Sequence, residues 1–291
     1  MLRARFRCVK ANDLKLYIDT RDALVGAPIA LGTYEPHLIA ALRRTVRPGD
    51  TVLDIGATIG LFSMLCGEIV GPRGRVHAFE PRADNVAMLQ LSLRENGLDN
   101  VLVHEVAVAD HDRSLAYKPI ESTSPTLMVE ESSAARDGGF VPVRTVAIDD
   151  VLAEVTRVDV VKIDIDGYEL GAIRGMRQLL GRCRPIVFFG YCPECLRSTG
   201  RHRAEDLLEE FRMHGYSLHI LRPDGTWDGA ETNAAIGVAD QTSGSTHIDL
   251  VACPPPCCRN ESSIRGRCGA RSSGRWPRHQ TDRDTSRCRI R

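Results

Sequence analysis

The 291-residue chain is 43% hydrophobic and 26% charged, an average globular composition that excludes collagen-like, coiled-coil and wholly disordered classes for the chain as a whole. Its 38 basic and 38 acidic residues cancel, but the balance joins two unlike segments. Cys253 to Arg291 holds ten arginines, no lysine and three acids (Glu261, Asp282, Asp284), a net of +7, which leaves −7 on residues 1–252.

Met1 to Asp22 is interrupted by Arg3, Arg5, Arg7, Lys10, Asp13, Lys15 and Asp19, so no apolar run reads as a signal peptide. Residues 1–32 read as an N-terminal extension. Tyr34 and Glu35 then open a helix placed to close over a ligand, or simply to pack an aromatic at a helix start. Thr51–Ile55 is a short apolar strand, Gly56 to Gly60 a small-residue turn, and Leu61–Val70 a helix. Asp54, Glu68 and three glycines within this stretch exclude a membrane span, and a cytoplasmic protein is expected. Arg75–Phe79 is a second strand ended by Glu80-Pro81. A helix from about Asp84 to Asn96 stops at Gly97. Val101–Val108 is a third strand, and the polar excursion Ala109–Arg144 leaves it as a candidate substrate lid. Val158–Ile165 is a fourth strand, followed by a helix over Tyr168–Leu180. Pro185–Phe189 is a fifth, and Ala204–His214 a helix. Tyr216–Arg222 and His247–Ala252 complete the strands, with a loop-like excursion over Gly225–Thr246. Alternating strands and helices imply an α/β fold, a mostly parallel sheet with helices on both faces. After Ala252 the pattern collapses at Pro254-Pro255-Pro256, and 253–291 reads as a disordered Arg/Cys-rich tail. Its bias would also arise from translation out of frame.

The strongest chemical signal is Val52-Leu53-Asp54-Ile55-Gly56-Ala57-Thr58-Ile59-Gly60. A strand ending in an acid leads into a turn of small residues that a ligand can approach closely. A nicotinamide dinucleotide site would instead show G-x-G-x-x-G. An acid before the turn suits a cationic ligand end. Glu80, after the second strand, can accept ribose hydroxyls. Together Asp54 and Glu80 favour S-adenosylmethionine, with the amino acid end near the turn, although two satisfied acids at buried strand ends would look the same. Val106 and Ala107 are candidate walls for adenine, and ordinary core burial explains them equally well.

Methyl transfer to an alcohol needs in-line approach and a route for the proton. Asp164, at the end of the fourth strand, is the candidate proton acceptor or orienting group. Lys162 shares its face by alternation and is either catalytic or one half of an ion pair. Glu169 begins a helix and is either catalytic or a cap. These acids can also hold a divalent cation, but nothing requires a metal. Cys192-Pro193-Glu194-Cys195 is a lone C-x-x-C without two further well-spaced ligands, so it reads as inert thiols. Trp276 alone among the tail arginines does not make a nucleic-acid site.

Thr33-Tyr34-Glu35-Pro36-His37, Arg47-Pro48-Gly49-Asp50, the DIGATIG run from Asp54 and Ala78-Phe79-Glu80-Pro81 together resemble the FkbM family of S-adenosylmethionine-dependent methyltransferases. The resemblance continues through Asn96 to Val101, Ile148-Asp149-Asp150 and Lys162 to Glu169, and covers about Thr33 to Pro254. It implies a Rossmann-like class I methyltransferase domain over 33–252 with a seven-stranded sheet. It also implies O-methylation of a hydroxylated small molecule, sugar or glycolipid. From the residues themselves, the candidate cofactor site is Tyr34, Glu35, Asp54, Gly56, Ala57, Thr58, Gly60, Glu80, Val106 and Ala107. The chain departs from the family at Thr58 (usually Asn), Asp166 (usually Glu) and Gly190 (commonly an acid). The last leaves altered substrate choice, weakened activity or no effect open. A nicotinamide-dependent oxidoreductase and a catalytically silent cofactor-binding module are the alternatives.

Overall fold

The computed structural model describes residues 6–112, 114–117, 128–130, 139–198, 202–243 and 247–255. The arginine-rich segment expected to be a tail lies outside these from residue 256 onward, as does most of the excursion over 118–138. The strands are β1 (Phe6–Ala11), β2 (Leu14–Asp19), β3 (Thr51–Ile55), β4 (Arg75–Phe79), β5 (Val101–His104), β6 (Ala107–Val108), β7 (Ser114–Tyr117), β8 (Met128–Glu130), β9 (Val141–Val146), β10 (Val160–Ile163), β11 (Ile186–Tyr191), β12 (Ser217–Ile220) and β13 (Ile248–Cys253). The helices are α1 (Gly26–Leu31), α2 (Pro36–Thr45), α3 (Leu61–Val70), α4 (Ala83–Asn96), α5 (Ile148–Val151), α6 (Glu169–Arg174), α7 (Arg177–Cys183), α8 (Pro193–Ser198), α9 (Ala204–Met213) and α10 (Asn233–Thr242).

Seven strands form the central sheet in the order β12-β13-β11-β10-β3-β4-β5. All neighbours are parallel except β13, which runs antiparallel to both β11 and β12. The expected class I α/β fold is therefore the observed one. Its central strands are buried on both faces, which explains why Val52, Leu53, Val160, Val161 and Val187 form continuous apolar runs. Helices α2 and α3 cover one face with Leu38, Leu42, Phe62 and Met64 in one core cluster. Helices α6, α7 and α9 cover the other with Ile173, Leu179 and Phe211. Among the described residues no helix is long and apolar enough to cross a membrane.

Four expectations change in detail. The third strand breaks at Glu105, so Ala107 pairs with Thr145 in a separate small sheet. The helix expected over Tyr168–Leu180 is two helices, α6 and α7, divided at Gly175 and Met176. Gly175 lies against the Ala109 carbonyl, where an added Cβ would sit at 2.0 Å. The excursion Gly225–Thr246 contains α10, capped by Thr232 through a bond from the Ala235 N–H. The N-terminal extension is a hairpin whose Leu16 and Ile18 are wholly buried in the same core as α2 and α3.

Candidate active site

The turn after β3 owes its shape to three residues in left-handed conformation: Gly56 (φ 80°), Thr58 (φ 52°) and Gly60 (φ 94°). Gly60 must also lack a side chain, because a Cβ there would meet Leu89 Cδ1 of α4 at 2.0 Å. Thr58, β-branched, is strained at this φ. The turn is tied to the β4 end by Glu80, which is buried at 4% exposure. Glu80 Oε2 accepts the Thr58 N–H at 2.9 Å, while Oε1 accepts the Arg82 N–H at 3.0 Å and the Asn85 Nδ2–H at 3.1 Å. Burial pushes the Glu80 carboxyl up to about 7 against these hydrogen bonds.

Asp54 is turned inward. Its Oδ2 accepts the Ser63 hydroxyl at 2.6 Å, and its Oδ1 lies 3.5 Å from Lys162 Nζ. Register puts Lys162 of β10 beside Asp54 of β3, with both side chains on the α2/α3 face. Lys162 Nζ also donates to the Gly56 carbonyl at 2.9 Å and lies 4.0 Å from Asp164 Oδ2 and 5.3 Å from the Phe62 ring centroid. Burial alone would lower its pKa, but Asp54, Asp164 and Glu35 raise it, so Lys162 stays a cation. Lys162 is thus the ion-paired hub that joins Asp54, the Gly56 carbonyl and Asp164.

Asp164 is 39% exposed at the end of β10. Glu169 is different: its carboxylate is buried and accepts the N–H groups of Ile165 (3.1 Å) and Gly167 (3.0 Å). Burial pushes it up to about 7. The structure gives it the capping role, holding the loop where Asp166 (φ 53°) and Gly167 (φ 103°) take left-handed conformations.

Tyr34 stands opposite the turn, its ring 6.1 Å from Phe62, and lines a narrow cleft with Ala57, Thr58, Gly60, Phe62 and Lys162. Burial, then Glu35 and Asp164, raise the Tyr34 hydroxyl well above its ordinary range, so it stays protonated. Glu35, left-handed at φ 41°, precedes α2. Burial, with Asp164 and Asp249 adding, pushes its carboxyl up to about 8. Val106 is partly buried against the α6/α7 core, while Ala107 packs with Tyr117 and Val143 in a satellite cluster.

Two residues were not singled out as site residues by sequence reasoning. His37 Nε2 lies 2.6 Å from Asp249 Oδ2, across 212 positions of chain. Asp249 is the direct partner of Gly190 on β11. An acid therefore stands on the strand next to Gly190. The C-x-x-C thiols are not free: Cys192 and Cys195 form a disulfide across the first turn of α8. Their shared turn brings the Cα atoms to 5.2 Å. Among the described residues no cluster of His, Cys, Asp and Glu could hold a metal ion.

Residues 54–218 match the family model described as Methyltransferase FkbM domain. Hexuronic acid methyltransferase AglP of Haloferax volcanii is 27% identical over 149 residues, covering 50% of this chain and 58% of that protein. AMB antimetabolite synthetase AmbE of Pseudomonas aeruginosa is 28% identical over 221 residues, covering 63% of this chain and 10% of that much longer protein. The chain therefore spans less than two thirds of either relative. The crystal structure of Methyltransferase FkbM from Methylobacillus flagellatus overlays on 72% of this chain and 49% of its own, at 18% identity and a TM-score of 0.44.

Proposed function

The chain belongs to the FkbM methyltransferase domain family, and from this premise we propose that it methylates a hydroxyl of a sugar, glycolipid or other small molecule. It is an S-adenosylmethionine-dependent methyltransferase, which sets the nicotinamide reading of the turn aside. The donor set fits that cofactor. Each carboxylate oxygen has two acceptor positions. Glu80 Oε1 has both filled, and Oε2, holding only the Thr58 N–H, has one left for a ribose hydroxyl.

When bound, the cofactor supplies an electrophilic methyl group on a positively charged sulfur. Around it, the turn of Gly56, Ala57, Thr58 and Gly60 allows close backbone approach, with Tyr34 as the opposite wall. Asp54 acts indirectly, fixing Lys162, which in turn fixes the Gly56 carbonyl. Asp164 supplies a negative charge that suits the ligand's cationic groups, whereas Glu35, pushed up to about 8, is largely neutral near pH ~7. Asp164, exposed over Gly190, orients the acceptor hydroxyl.

The observation that carries the reading is the carboxyl edge of β10 and β11, where the partly exposed Asp164 lies beside Gly190, a Cβ there falling 3.4 Å from its Oδ1. The name of AglP supports a sugar as acceptor. The test is a screen with methyl-tritiated S-adenosylmethionine against methyl β-D-glucuronoside, neutral glycosides and glycolipid extracts. Label should enter a hydroxylated acceptor as an alkali-stable ether. Label released by alkali as methanol would show transfer to a carboxylate and overturn the hydroxyl assignment.

A further inference from the structure

Beside the Lys162 hub, on the same face of the sheet, stands a pair of titratable side chains that neither the turn nor the hub uses: His37 of α2 and Asp249 of β13. The sheet brings them to the chemistry. Ile163 pairs with Phe189, so the next residues, Asp164 and Gly190, lie side by side, and Gly190 pairs in turn with Asp249. Alternation places Lys162, Asp164, Gly190 and Asp249 on the α2/α3 face. The row thus reads carboxylate, gap, carboxylate. A Cβ added at Gly190 would lie 3.4 Å from Asp164 Oδ1, so the absent side chain leaves a notch between the two acids.

His37, in the first turn of α2, reaches this row through Asp249, the strand partner of Gly190. Its Nε2 is committed to Asp249 at 2.6 Å, and the two side chains remain 26% and 15% exposed. Nε2–H donating to the carboxylate leaves Nδ1 as the basic nitrogen. The segment after β12 holds the helix in place: Gly225, at φ 74°, passes so close that a Cβ there would sit 2.7 Å from the His37 carbonyl. The charged groups around the imidazole are Asp249 from β13 and Glu35 just before α2, with Asp164 and Lys162 of the neighbouring strand acting on Glu35. The hydrogen bond to Asp249 is the main influence raising the His37 pKa, against partial burial.

We propose that His37 is the proton acceptor for a hydroxyl seated over Gly190, and that Asp249 is its positioning residue. The acceptor oxygen gives its proton to His37 Nδ1 and forms its new bond to the methyl carbon. The carbon–sulfur bond of the sulfonium breaks as it does so, its electron pair returning to sulfur, and the proton later leaves the imidazole for solvent. A carboxylate acceptor would need no such base, so the assignment rests on the proposed transfer to a hydroxyl.

The test uses the full chain with S-adenosylmethionine as donor and methyl β-D-glucuronoside as acceptor probe. His37→Gln should lower turnover about 100-fold or more, while calorimetry finds S-adenosylhomocysteine affinity unchanged. In the wild type, kcat should rise with pH through an imidazole titration above the ordinary histidine value, followed independently by NMR of the His37 ring. Asp249→Asn should move both the ring titration and the rising limb to lower pH, a shift that a merely structural bond would not produce in kcat. His37→Gln turning over within threefold of wild type, or a limb unmoved in Asp249→Asn, overturns the assignment. Loss of S-adenosylhomocysteine binding in the wild type would refute the cofactor reading, a distinct failure that calorimetry separates from failure of the base.

Discussion

The two sides of the crevice are built on opposite plans. On the β3–β4 side the charged groups are buried and bound to one another or to backbone: Asp54 to Ser63 and Lys162, Glu80 to Thr58, Arg82 and Asn85. On the β10–β11–β13 side Asp164, His37 and Asp249 stay partly exposed around Gly190. Fixed charge costs desolvation but gives a rigid, prearranged cradle for a cofactor common to every turnover. Accessible charge preserves the ability to meet an acceptor and to exchange a proton. The first side should therefore respond to mutation in stability and cofactor affinity, and the second in turnover.

The largest effect should come from breaking the buried hub. Lys162→Met leaves Asp54 buried without its cation and should cost about 3–5 kcal/mol in chemical denaturation. The double variant Asp54→Leu/Lys162→Met should recover most of that stability, because it removes both charges. Asp54→Ala should likewise unsettle the fold by stranding Lys162, so loss of binding in that variant alone says little about ligand contact. An Asp54→Ala protein as stable as wild type would contradict the hub.

Next is Glu80. Glu80→Ala should weaken S-adenosylhomocysteine binding by about 10–100-fold, the scale of one hydrogen bond to a charged group. With its carboxyl pushed up to about 7, its ionised form is the minority in mildly acidic buffer. Binding that uses the ionised form should tighten as pH rises toward and through 7, and this dependence should shrink in Glu80→Gln, leaving the part due to Glu35, whose carboxyl is pushed up to about 8. Isothermal titration at three pH values decides this.

A smaller effect tests the strain in the turn. Thr58 at φ 52° should be improved by Thr58→Asn, since Asn tolerates this region better. A gain of about 1 kcal/mol with cofactor affinity retained is expected, read as a rise in Tm.

The smallest lies at the sheet edge. His77 and His104 stack, with Nδ1 and Nε2 3.1 Å apart, and the His104 ring lies on Phe79. Burial, then the neighbouring His104 and Arg75, push His77 down to about 4. The fold thus favours neutral His77, and stability is lost as pH falls from the ordinary histidine value near 6.5 toward 4. Glu80 and Glu169, raised in the fold, act with the opposite sign, so the contrast must be between variants. His77→Phe should remove a loss of about 1 kcal/mol or less near pH ~5.5.

Legibility in the sequence followed the same division. β3, β4 and α3 were readable to the residue, because apolar runs and the glycines that bound them act over a few positions. The turn and Glu80 were readable for the same reason. Asp54 was legible as an acid beside the turn, but its inward orientation was not. That depends on Lys162, 108 positions away, falling in register beside it.

What the sequence alone determined is therefore the α/β alternation and the small-residue turn flanked by Asp54 and Glu80. These rest on backbone conformations and hydrophobic periods that neighbouring residues impose. Only the tertiary structure decided that β13 would slip antiparallel between β11 and β12, bringing Asp249 opposite Gly190 and under His37. Sheet order and register arise from burial of whole faces, a balance over the entire core, and no local pattern around Gly190 carries it.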